Sequence, residues 1–363
     1  MTNLTLTNIT KRFKNVTALD GVTFEVQDGE FFVLLGPTGA GKTTTLRVIA
    51  GLEKQDAGHV LFDGESVDGL TPAQRDVAMV FQQYSLYPNM SVYDNLAFPL
   101  RSPVHRLPEA EIQKRVGEAA EILRIQHLLE RKTARLSGGE MQRVSIGRAI
   151  VRDPRVYLMD EPLSNLDAKL RESLRVELEH IQKTQGSTTL FVTHDQVEAL
   201  TMADRIAVLR AGRIVQLGTP KDIYDRPASL FVAQLVGTPR INLLPAVRDN
   251  GALQVVNSSI QLPAENVAET LPTAFTLGVR PEDVQPASDG LFADGLFADG
   301  LFDGRVTLIE PLGVETVIHI QSGEQTMLSL VSGISRLKPG ENVKFHIVQD
   351  RLHYFDGEGV RVN

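Results

Sequence analysis

The chain opens with alternating apolar and polar positions and then turns to short runs that are almost wholly apolar. Residues 4–9 and 22–26 alternate, which is typical of strands with one buried and one exposed face. Residues 31–35 and 156–159 are mostly apolar, as strands buried on both faces are, and 188–193 is a further strand. The pattern predicts a half-exposed antiparallel sheet beside a buried parallel one.

Helical periodicity dominates the stretch from about residue 92 to residue 153. One segment, 109–124, has an apolar stripe opposite a charged face, made of Ile112, Val116, Ala119, Ala120 and Leu123. Another helix is predicted for 141–151, and a long one after Asp167 has an apolar face of Leu170, Leu174, Leu178 and Ile181. Because strands flank the first two helices, we expect a helical subdomain, about residues 88–154, inserted into an α/β core.

The last third of the chain differs in kind, with short β-type runs separated by turns. The runs lie at residues 275–279, 306–309, 315–320 and 342–348. This arrangement is typical of a small OB-like barrel. We therefore predict two domains. Residues 1–237 form the α/β core with its antiparallel β edge and helical subdomain, and residues 238–363 form an all-β OB-like domain.

Composition narrows the class of protein. At 363 residues the chain is long enough for two domains, since single cores stop growing near ~250–300 residues. It contains no cysteine, which excludes disulfides, thiolate catalysis and Cys-ligated metals. Apolar runs stay far below the ~20 residues of a membrane span, and the first residues lack a signal-peptide pattern. We expect a soluble, cytoplasmic protein.

The net charge of −8 is unevenly distributed. Residues 241–363 hold 8 basic and 16 acidic residues, whereas the preceding part holds 29 of each. Neither part offers the basic stripe that binding to a nucleic-acid backbone requires. Nucleic acid is therefore not an expected partner.

A glycine-rich loop follows the apolar run at 31–35. It matches the pattern of phosphate-binding loops, and Thr44 leads on into a predicted helix; the loop reads Gly36-Pro37-Thr38-Gly39-Ala40-Gly41-Lys42-Thr43. The glycines let backbone N–H groups surround a di- or triphosphate, and the helix directs its positive end at the same anion. Lys42 would reach the β- and γ-phosphates, and the Thr43 hydroxyl would bind Mg²⁺. This stretch predicts a nucleotide site.

Polar side chains follow three further strands. Asp160 and Glu161 end the strand that begins at Val156, at the edge where open α/β sheets place their ligands. Asp160 is suited to hold Mg²⁺, and Glu161 to take a proton from an attacking water. Gln82 and His194 also follow strands, although a glutamine there is weak by itself and a lone histidine is more often a surface or satisfied residue. We expect these residues to lie with the phosphate loop at one edge of one sheet.

Two other stretches leave alternatives open. Ser137 is a good N-cap and is followed by Gly138 and Gly139, so this helix start is either a second anion site or an ordinary capped helix. Phe13 stands beside basic residues and either packs in the core or, if exposed, stacks on a nucleotide base.

Taken together, these motifs resemble the ATP-binding subunits of ABC transporters, in order and in spacing. The element Leu136-Ser137-Gly138-Gly139 is specific to that family, unlike the phosphate loop. The resemblance implies that two copies dimerise head to tail around two ATP molecules, so that Ser137, Gly138 and Gly139 reach the nucleotide of the other copy. It also implies roles for single residues: Phe13 stacks on adenine, Gln82 links Mg²⁺ and water to the transmembrane partner, Glu161 is the catalytic base, Asp167 contacts the other subunit and His194 senses the γ-phosphate.

Further stretches resemble the maltose-type carbohydrate importers with a C-terminal OB-like (TOBE) regulatory domain. They lie at 86–92, 223–228 and 278–283. The resemblance implies a peripheral protein on the cytoplasmic side of the membrane, two transmembrane permease subunits, an extracytoplasmic solute-binding protein acting indirectly, and a regulatory protein or ligand at the C-terminal domain. Leu86, Tyr87 and Met90 would contact a permease, or else belong to the subdomain core.

Two alternatives to a carbohydrate importer share most of these motifs. The ATPases of polyamine, ferric-ion and oxyanion importers carry nearly all of them. A soluble, non-transport ABC ATPase that acts on nucleic acid or ribosomes is the alternative from another class, but such proteins usually carry two cassettes and basic linkers, whereas this chain has one cassette and an acidic tail.

The chain departs from the family pattern in two places. Glu140 stands where family members usually carry glutamine, and its charge near a phosphate is unfavourable unless it faces away or pairs with a base such as Arg143. Residues 289–304 repeat Asp-Gly-Leu-Phe-Ala at a period of five, which predicts a lengthened loop with Asp-Gly turns. A regulatory contact made by Phe292, Phe297 and Phe302 is the alternative to a loop that is merely longer.

Overall fold

A computed structural model describes residues 2–102, 107–249, 251–264, 271–287 and 301–362, and divides the chain into unit 1, residues 1–220, and unit 2, residues 221–363. The first strands are β1 (Leu4–Phe13), β2 (Val16–Val26), β3 (Phe31–Leu35), β4 (Ala57–Phe62), β5 (Glu65–Ser66), β6 (Val77–Val80), β7 (Val156–Asp160), β8 (Thr189–Thr193), β9 (Arg205–Arg210) and β10 (Arg213–Gly218). The helices are α1 (Lys42–Ile49), α2 (Val92–Ala97), α3 (Glu109–Ile122), α4 (Gly138–Ile150), α5 (Ala168–Gln185), α6 (Gln196–Met202), α7 (Pro220–Asp225) and α8 (Leu230–Leu235).

The strands of unit 2 are β11 (Asn242–Asp249), β12 (Ala252–Val255), β13 (Gln261–Pro263), β14 (Ala274–Val279), β15 (Val284–Pro286), β16 (Leu301–Pro311), β17 (Glu315–Ser322), β18 (Gln325–Ser332), β19 (Asn342–Ile347), β20 (His353–Phe355) and β21 (Arg361–Val362). Short 3-10 helices cover Phe98–Arg101, Gln126–Leu128, Thr133–Arg135, Pro281–Asp283 and Gln349–Arg351.

A six-stranded sheet in the order β10-β9-β3-β8-β7-β6 is the centre of unit 1. From β9 to β6 all neighbours are parallel, and β10 is antiparallel to β9. Every residue of β3, β7 and β8 is buried, which is why these strands are mostly apolar. Because the strands are parallel, the carboxyl ends of β3, β6, β7 and β8 lie at one edge of the sheet.

A second, antiparallel sheet in the order β2-β1-β4-β5 completes the core of unit 1. Its apolar face shares one buried cluster with β3, β7, β8 and the inner face of α1. The rings of Phe24 and Phe32 stack with their centroids 5.1 Å apart, one ring from each sheet. The predicted antiparallel edge is therefore present and packs against the parallel sheet.

Helices α2, α3 and α4 lie between β6 and β7 in the chain, where the helical subdomain was expected. The apolar stripe of α3 is buried as predicted, at Ile112, Val116, Ala119 and Ala120. Within the ranges that the structure describes, no helix is both long and apolar enough to cross a membrane.

Unit 2 consists mainly of two antiparallel sheets, in the orders β13-β12-β11-β14-β20-β21 and β15-β19-β16-β17-β18. They enclose one apolar core, as expected of an OB-like domain. The unit begins before the predicted boundary at 237/238, and the buried Arg280 explains why. Its guanidinium donates hydrogen bonds to the carbonyls of Tyr224, Ala233 and Val236, so α7 and α8 are joined to the β-domain.

The repeat at 289–304 is described only in its last residues. Phe292 and Phe297 lie outside the described residues. Residues 301–304 belong to β16 rather than to a loop, and Phe302 is 3% exposed with its ring 5.8 Å from that of Phe345. The expectation of a loop and a regulatory contact is therefore wrong for this copy, because its phenylalanine is part of the core.

Arg280 gives the first testable prediction. Replacing it with methionine leaves three carbonyls without their donors and removes a cation that lies 4.0 Å from the centre of the Tyr224 ring. We expect Arg280→Met to lower the stability of unit 2 by about 3 kcal/mol. Amide hydrogen exchange in β14 and β20 of the full chain should then be about 100-fold faster, because opening becomes correspondingly more frequent.

The exposed Arg336 provides the matched control. Arg336→Met removes the same charge from unit 2 and should leave exchange in β14 unchanged. Equal protection in the parent and in Arg280→Met would mean that the buried guanidinium does not hold α7 and α8 to the sheet.

Candidate functional site

The phosphate-binding loop joins β3 to α1 and needs its glycines for space and for backbone conformation. A Cβ at Gly36 would lie 2.3 Å from the Leu209 carbonyl oxygen, and one at Gly41 2.5 Å from that of Ala18. Gly41 also has a φ of +111°, in the left-handed region that other residues rarely adopt. The loop is therefore pressed between β2 and β9, which fixes its backbone before any ligand arrives.

Lys42 is the first residue of α1 and its charge is almost enclosed by the loop. The side chain is 5% exposed, and Nζ donates to the carbonyls of Gly36 at 2.9 Å and Pro37 at 3.1 Å. A carboxylate oxygen of Glu161 lies 3.2 Å from the same nitrogen. Three oxygen atoms thus compensate a cation that has lost its water.

Thr43 and Asp160 bring two oxygen ligands together at the end of β7. The Thr43 hydroxyl donates to Asp160 Oδ1 at 3.0 Å. Burial raises the pKa of Asp160, while the Thr43 hydroxyl opposes that shift. Hydroxyl and carboxylate oxygens are the ligands that Mg²⁺ prefers, and a buried carboxylate gains from a nearby cation. This pair of residues fits a magnesium ion.

Glu161 lies where the polar side chains of four strand ends meet. Its φ of 46° is unusual for a residue with a side chain, and such strain is common at functional sites. One carboxylate oxygen faces Lys42, while the other accepts a hydrogen bond from Gln82 Nε2 at 3.2 Å and lies 3.0 Å from His194 Nδ1. The carboxylate therefore joins the ends of β6, β7 and β8 to the phosphate loop.

The structure thus brings one set of predicted residues together, namely Lys42, Thr43, Gln82, Asp160, Glu161 and His194. The other residues of the phosphate loop lie around this set. Ala40 is buried, Thr44 lies in α1, and three loop residues are exposed, namely Pro37, Thr38 and Gly39. The placement at one sheet edge follows the expectation, whereas the catalytic and binding roles stay predictions.

Phe13 ends β1 and is 41% exposed, so its interpretation as a core residue is wrong. Lys11 Nζ lies 4.9 Å from the centre of its ring. The ring belongs to the β1–β2 hairpin, and Ala18 of the same hairpin borders the phosphate loop at Gly41. The alternative in which Phe13 stacks on a nucleotide base remains as a prediction.

The start of α4 is organised around Ser137 and Glu140. One oxygen of Glu140, Oε2, accepts hydrogen bonds from the backbone N–H of Ser137 at 2.7 Å and from its hydroxyl at 2.9 Å. The Ser137 Oγ in turn accepts from the Glu140 N–H, which completes a capping box. Pairing with Arg143, one of the two arrangements considered for Glu140, is not found, because that guanidinium donates to the Leu123 carbonyl and to Glu177. The Ser137 backbone N–H lowers the pKa of Glu140.

The remaining predicted residues lie around this helix start. A Cβ at Gly139 would come within 2.4 Å of Leu170 Cδ2, and one at Gly138 within 3.3 Å of the Tyr84 hydroxyl. Asp167 is the N-cap of α5, and its carboxylate accepts a hydrogen bond from the Leu170 N–H at 3.1 Å. The hydrogen bonds and ion pairs found among the described residues do not join this set to the cluster around Glu161.

Two residues outside the sequence motifs connect α4 to the loop after Gln82. Arg148 donates to the carbonyls of Ser85 and Tyr84, and the Ser145 hydroxyl donates to that of Tyr84. Arg148 lies between Gly147 and Ala149, in a helix whose other residues are mainly apolar or small. This context indicates that its guanidinium needs hydrogen-bond partners within the protein. Burial lowers the pKa of Arg148, consistent with its enclosed position.

Comparison with known proteins places the chain in a family. The ABC transporter family matches residues 19–164, and the TOBE domain family matches residues 277–355. The sn-glycerol-3-phosphate import ATP-binding protein of Cupriavidus pinatubonensis is 42% identical over 99% of this chain and 98% of its own length. The trehalose/maltose import ATP-binding protein of Thermococcus litoralis is 44% identical over 98% of each chain. The alpha-glucoside transport ATP-binding protein of Rhizobium meliloti is 43% identical over 99% of each.

Solved structures agree on the fold of unit 1. A dimeric ATP-binding cassette in a post-hydrolysis state, bound to ADP and Pi, is 31% identical with a TM-score of 0.56, over 60% of this chain and 98% of the other. A nucleotide-free cassette from an ABC transporter is 28% identical with a TM-score of 0.57, over 65% and 100%.

The parallel sheet and the loop at its edge define a P-loop nucleotide-binding ATPase. Identity of 42–44% along nearly the whole length of several relatives makes the assignment more specific. The chain belongs to the ATP-binding subunits of ABC import systems, with an OB-like TOBE domain at its C-terminus. It is an ATPase coupled to transport.

The loop geometry predicts that two of its glycines differ in how they tolerate alanine. Gly41→Ala combines a left-handed backbone with a clash against the Ala18 carbonyl, whereas Gly39 has a φ of +80° but open space around its Cβ position. We expect Gly41→Ala to lower the melting temperature of unit 1 by roughly 5–10 °C, and Gly39→Ala by less than about 4 °C. Calorimetry of the full chain measures the melting temperature of unit 1 in each of the two variants. Equal shifts would show that the contact with β2 does not constrain the loop.

Proposed function

We propose that the chain hydrolyses Mg-ATP at the Glu161 cluster and that this drives uptake of a carbohydrate through a membrane permease. The observation that carries the proposal is the convergence of Lys42, Gln82 and His194 on one carboxylate at 3.0–3.2 Å. A structural ion pair needs one partner, whereas this carboxylate meets three groups from separate elements around the phosphate loop. Such a cluster suits phosphoryl transfer, in which positioning and charge compensation supply most of the catalysis.

The geometry suggests how each side chain acts on ATP. The γ-phosphate takes the place of Glu161 beside Lys42, which frees the carboxylate. Glu161 then accepts a proton from a water whose oxygen attacks the γ-phosphorus in line, while the bond to the β-phosphate oxygen breaks and leaves ADP and phosphate. Gln82 and His194 are positioned to orient that water and the γ-phosphate. Thr43, Asp160 and Gln82 would hold Mg²⁺, whose charge neutralises that of the phosphates.

A second copy of the chain completes this site in our proposal. One patch of the chain contains Ser137, Gly138, Gly139 and Asp167. No hydrogen bond found among the described residues joins this patch to Glu161. A two-fold dimer that uses the same surface on both copies would bring the patch of one chain to the nucleotide of the other. The dimeric cassette bound to ADP and Pi supports this arrangement for a protein of the same fold.

The permease contact is proposed at the loop that follows Gln82. Tyr87 and Phe98 are 40% and 45% exposed, and their ring centroids are 4.6 Å apart. They line a cavity of about 450 Å³ together with Arg148. Because Arg148 holds this loop to the C-terminal half of α4, a helix inserted here would be linked to α4. The chain would then sit peripherally on the cytoplasmic side of the membrane.

The solute is proposed by class. The relatives named above import or transport sn-glycerol-3-phosphate, trehalose and maltose, or alpha-glucosides. A sugar or sugar-like polyol is common to most of them, which favours a carbohydrate over a polyamine, ferric ion or oxyanion. An extracytoplasmic solute-binding protein would deliver it. Binding assays on that protein with maltose, trehalose, glycerol-3-phosphate and spermidine decide between these classes.

The OB-like domain is proposed to support the dimer and to receive a regulatory protein or ligand. Its acidic composition argues against nucleic acid. Because the proposed partner is a permease, we expect the chain to co-purify with a polytopic membrane protein. Co-purification with RNA would instead favour a non-transport ATPase.

The catalytic proposal predicts a specific loss in Glu161→Gln. The amide keeps the size of the side chain but cannot act as a base, so hydrolysis should fall by roughly 10²-fold or more while ATP still binds. Phosphate release and equilibrium ATP binding are measured on the same preparation. Glu118→Gln, on the exposed side of α3, is the control and should hydrolyse ATP at the parent rate. Parent-like hydrolysis by Glu161→Gln would show that another group is the base.

The permease proposal predicts that Tyr87→Ala separates transport from hydrolysis. Solute uptake by the assembled transporter should fall at least about tenfold, on the scale of losing an aromatic anchor. Hydrolysis by the isolated chain should stay within a factor of about two. Leu70→Ala, another exposed apolar residue of unit 1, is the control and should leave uptake unchanged. Normal uptake in Tyr87→Ala would place the permease contact elsewhere.

A further inference from the structure

The carboxylate of Glu140 occupies two hydrogen-bond donors at the start of α4. Both the backbone N–H and the hydroxyl of Ser137 donate to one oxygen of Glu140, at 2.7 and 2.9 Å. Hydrogen bonds to an ionised acceptor are stronger than those between neutral groups, and a negative charge is stabilised at a helix N-terminus. The chain therefore supplies its own anion at this position.

Few positive charges offset this carboxylate. Arg131 Nη1 lies 3.9 Å from Glu140 Oε1 but is about half exposed, so water screens the pair. Arg143, the other basic neighbour, is engaged by Glu177 at 3.0 Å. The Glu140 side chain itself is 30% exposed, so a ligand approaching the start of α4 would meet it directly.

We propose that Glu140 competes with the γ-phosphate of ATP for Ser137 and so raises the ATP concentration at which two copies of the chain close. This rests on the proposed function, in which Ser137, Gly138 and Gly139 of one copy receive the nucleotide bound at Lys42 of the other. Glu140 acts through Ser137 and is a positioning residue. Closure has to break two hydrogen bonds to a carboxylate and bring that carboxylate close to a second anion.

The competition acts on closure and not on the first encounter with nucleotide. In a single copy, ATP binds at the phosphate loop, to which Glu140 makes no hydrogen bond or ion pair found among the described residues. When the second copy arrives, the side chain of Glu140 must leave Ser137. A glutamine at this position can form the same capping box, since either side chain reaches back to the Ser137 N–H, but it carries no charge. Glu140→Gln therefore removes the charge and weakens the hold on Ser137, since hydrogen bonds to a neutral acceptor are weaker, while it preserves the helix start.

The test compares Glu140→Gln with the parent in the full chain. We expect the half-saturating ATP concentration for hydrolysis to fall about tenfold, the scale of one unfavourable charge pair near a protein surface, with the maximal rate changed less than about twofold. In a Glu161→Gln background, where ATP is not consumed, sedimentation should show dimers at about tenfold lower ATP. The advantage of Glu140→Gln should shrink at high salt, because the repulsion is screened.

The start of α2 provides a matched control. There Asp94 Oδ2 accepts a hydrogen bond from the hydroxyl of the N-cap residue Ser91 at 2.7 Å, and Oδ1 accepts one from Arg101 at 3.2 Å, so the partners of this carboxylate lie outside α4 and the phosphate loop. Asp94→Asn removes an equivalent charge from a helix start, and it should leave both the half-saturating ATP concentration and the dimerisation threshold unchanged.

The outcomes separate this proposal from the proposed function. If Glu140→Gln closes at the same ATP concentration as the parent, or if its advantage is independent of salt, the competition does not exist. If the Asp94→Asn change has the same effect, the cause is general helix stability. Neither result affects the base assignment, which fails only if Glu161→Gln hydrolyses ATP normally.

Discussion

The arrangement of the site depends on one constraint: the ammonium group of Lys42 is almost completely removed from water and must have anionic or carbonyl partners. The loop provides two carbonyls, and Glu161 provides the charge. Leaving such a cation without a counter-ion in a protein interior is costly. Any ligand that displaces Glu161 must therefore bring negative charge of its own, which favours a phosphate over a neutral molecule.

This constraint explains why the surrounding backbone is built so closely. The loop is held against β2 and β9 at positions where any Cβ would collide with a carbonyl. Glu161 is held in a left-handed conformation by a hydrogen bond from its N–H to the Val192 carbonyl and by Ser164, which binds the carbonyl of Glu161. The strain is sustained by two neighbouring strands, so the carboxylate stays directed at Lys42 when no nucleotide is bound. With the backbone preorganised in this way, only the Glu161 side chain has to move when a phosphate binds.

Much of the fold could be predicted from the sequence, because buried parallel strands, phosphate loops and capped helices leave strong local patterns. The placement of Asp160, Glu161 and His194 at one edge follows from strand direction. What local patterns could not show is which side chains pair across the edge, since the meeting of Gln82, Lys42 and His194 on Glu161 depends on elements far apart in the chain. The exposure of Phe13 and the burial of Phe302 also depend on tertiary packing. The Glu140 capping box, by contrast, had a local signal, the spacing Ser-x-x-Glu, which points to Ser137 rather than Arg143 as the partner.

Two carboxylates of the chain thus stand in the positions proposed for phosphate, one at each half of the nucleotide site. Glu161 neutralises Lys42, and Glu140 occupies the donors of Ser137. In the absence of nucleotide, the Lys42 ammonium and the Ser137 donors are therefore satisfied within the chain. ATP reverses both conditions, since its phosphates displace Glu161 in one copy and compete with Glu140 of the other. The two displacements have different consequences, because Glu161 is released to accept a proton, whereas Glu140 gains nothing from leaving Ser137. The first exchange favours chemistry and the second opposes closure, so the balance between them sets how much ATP is needed to join the two copies.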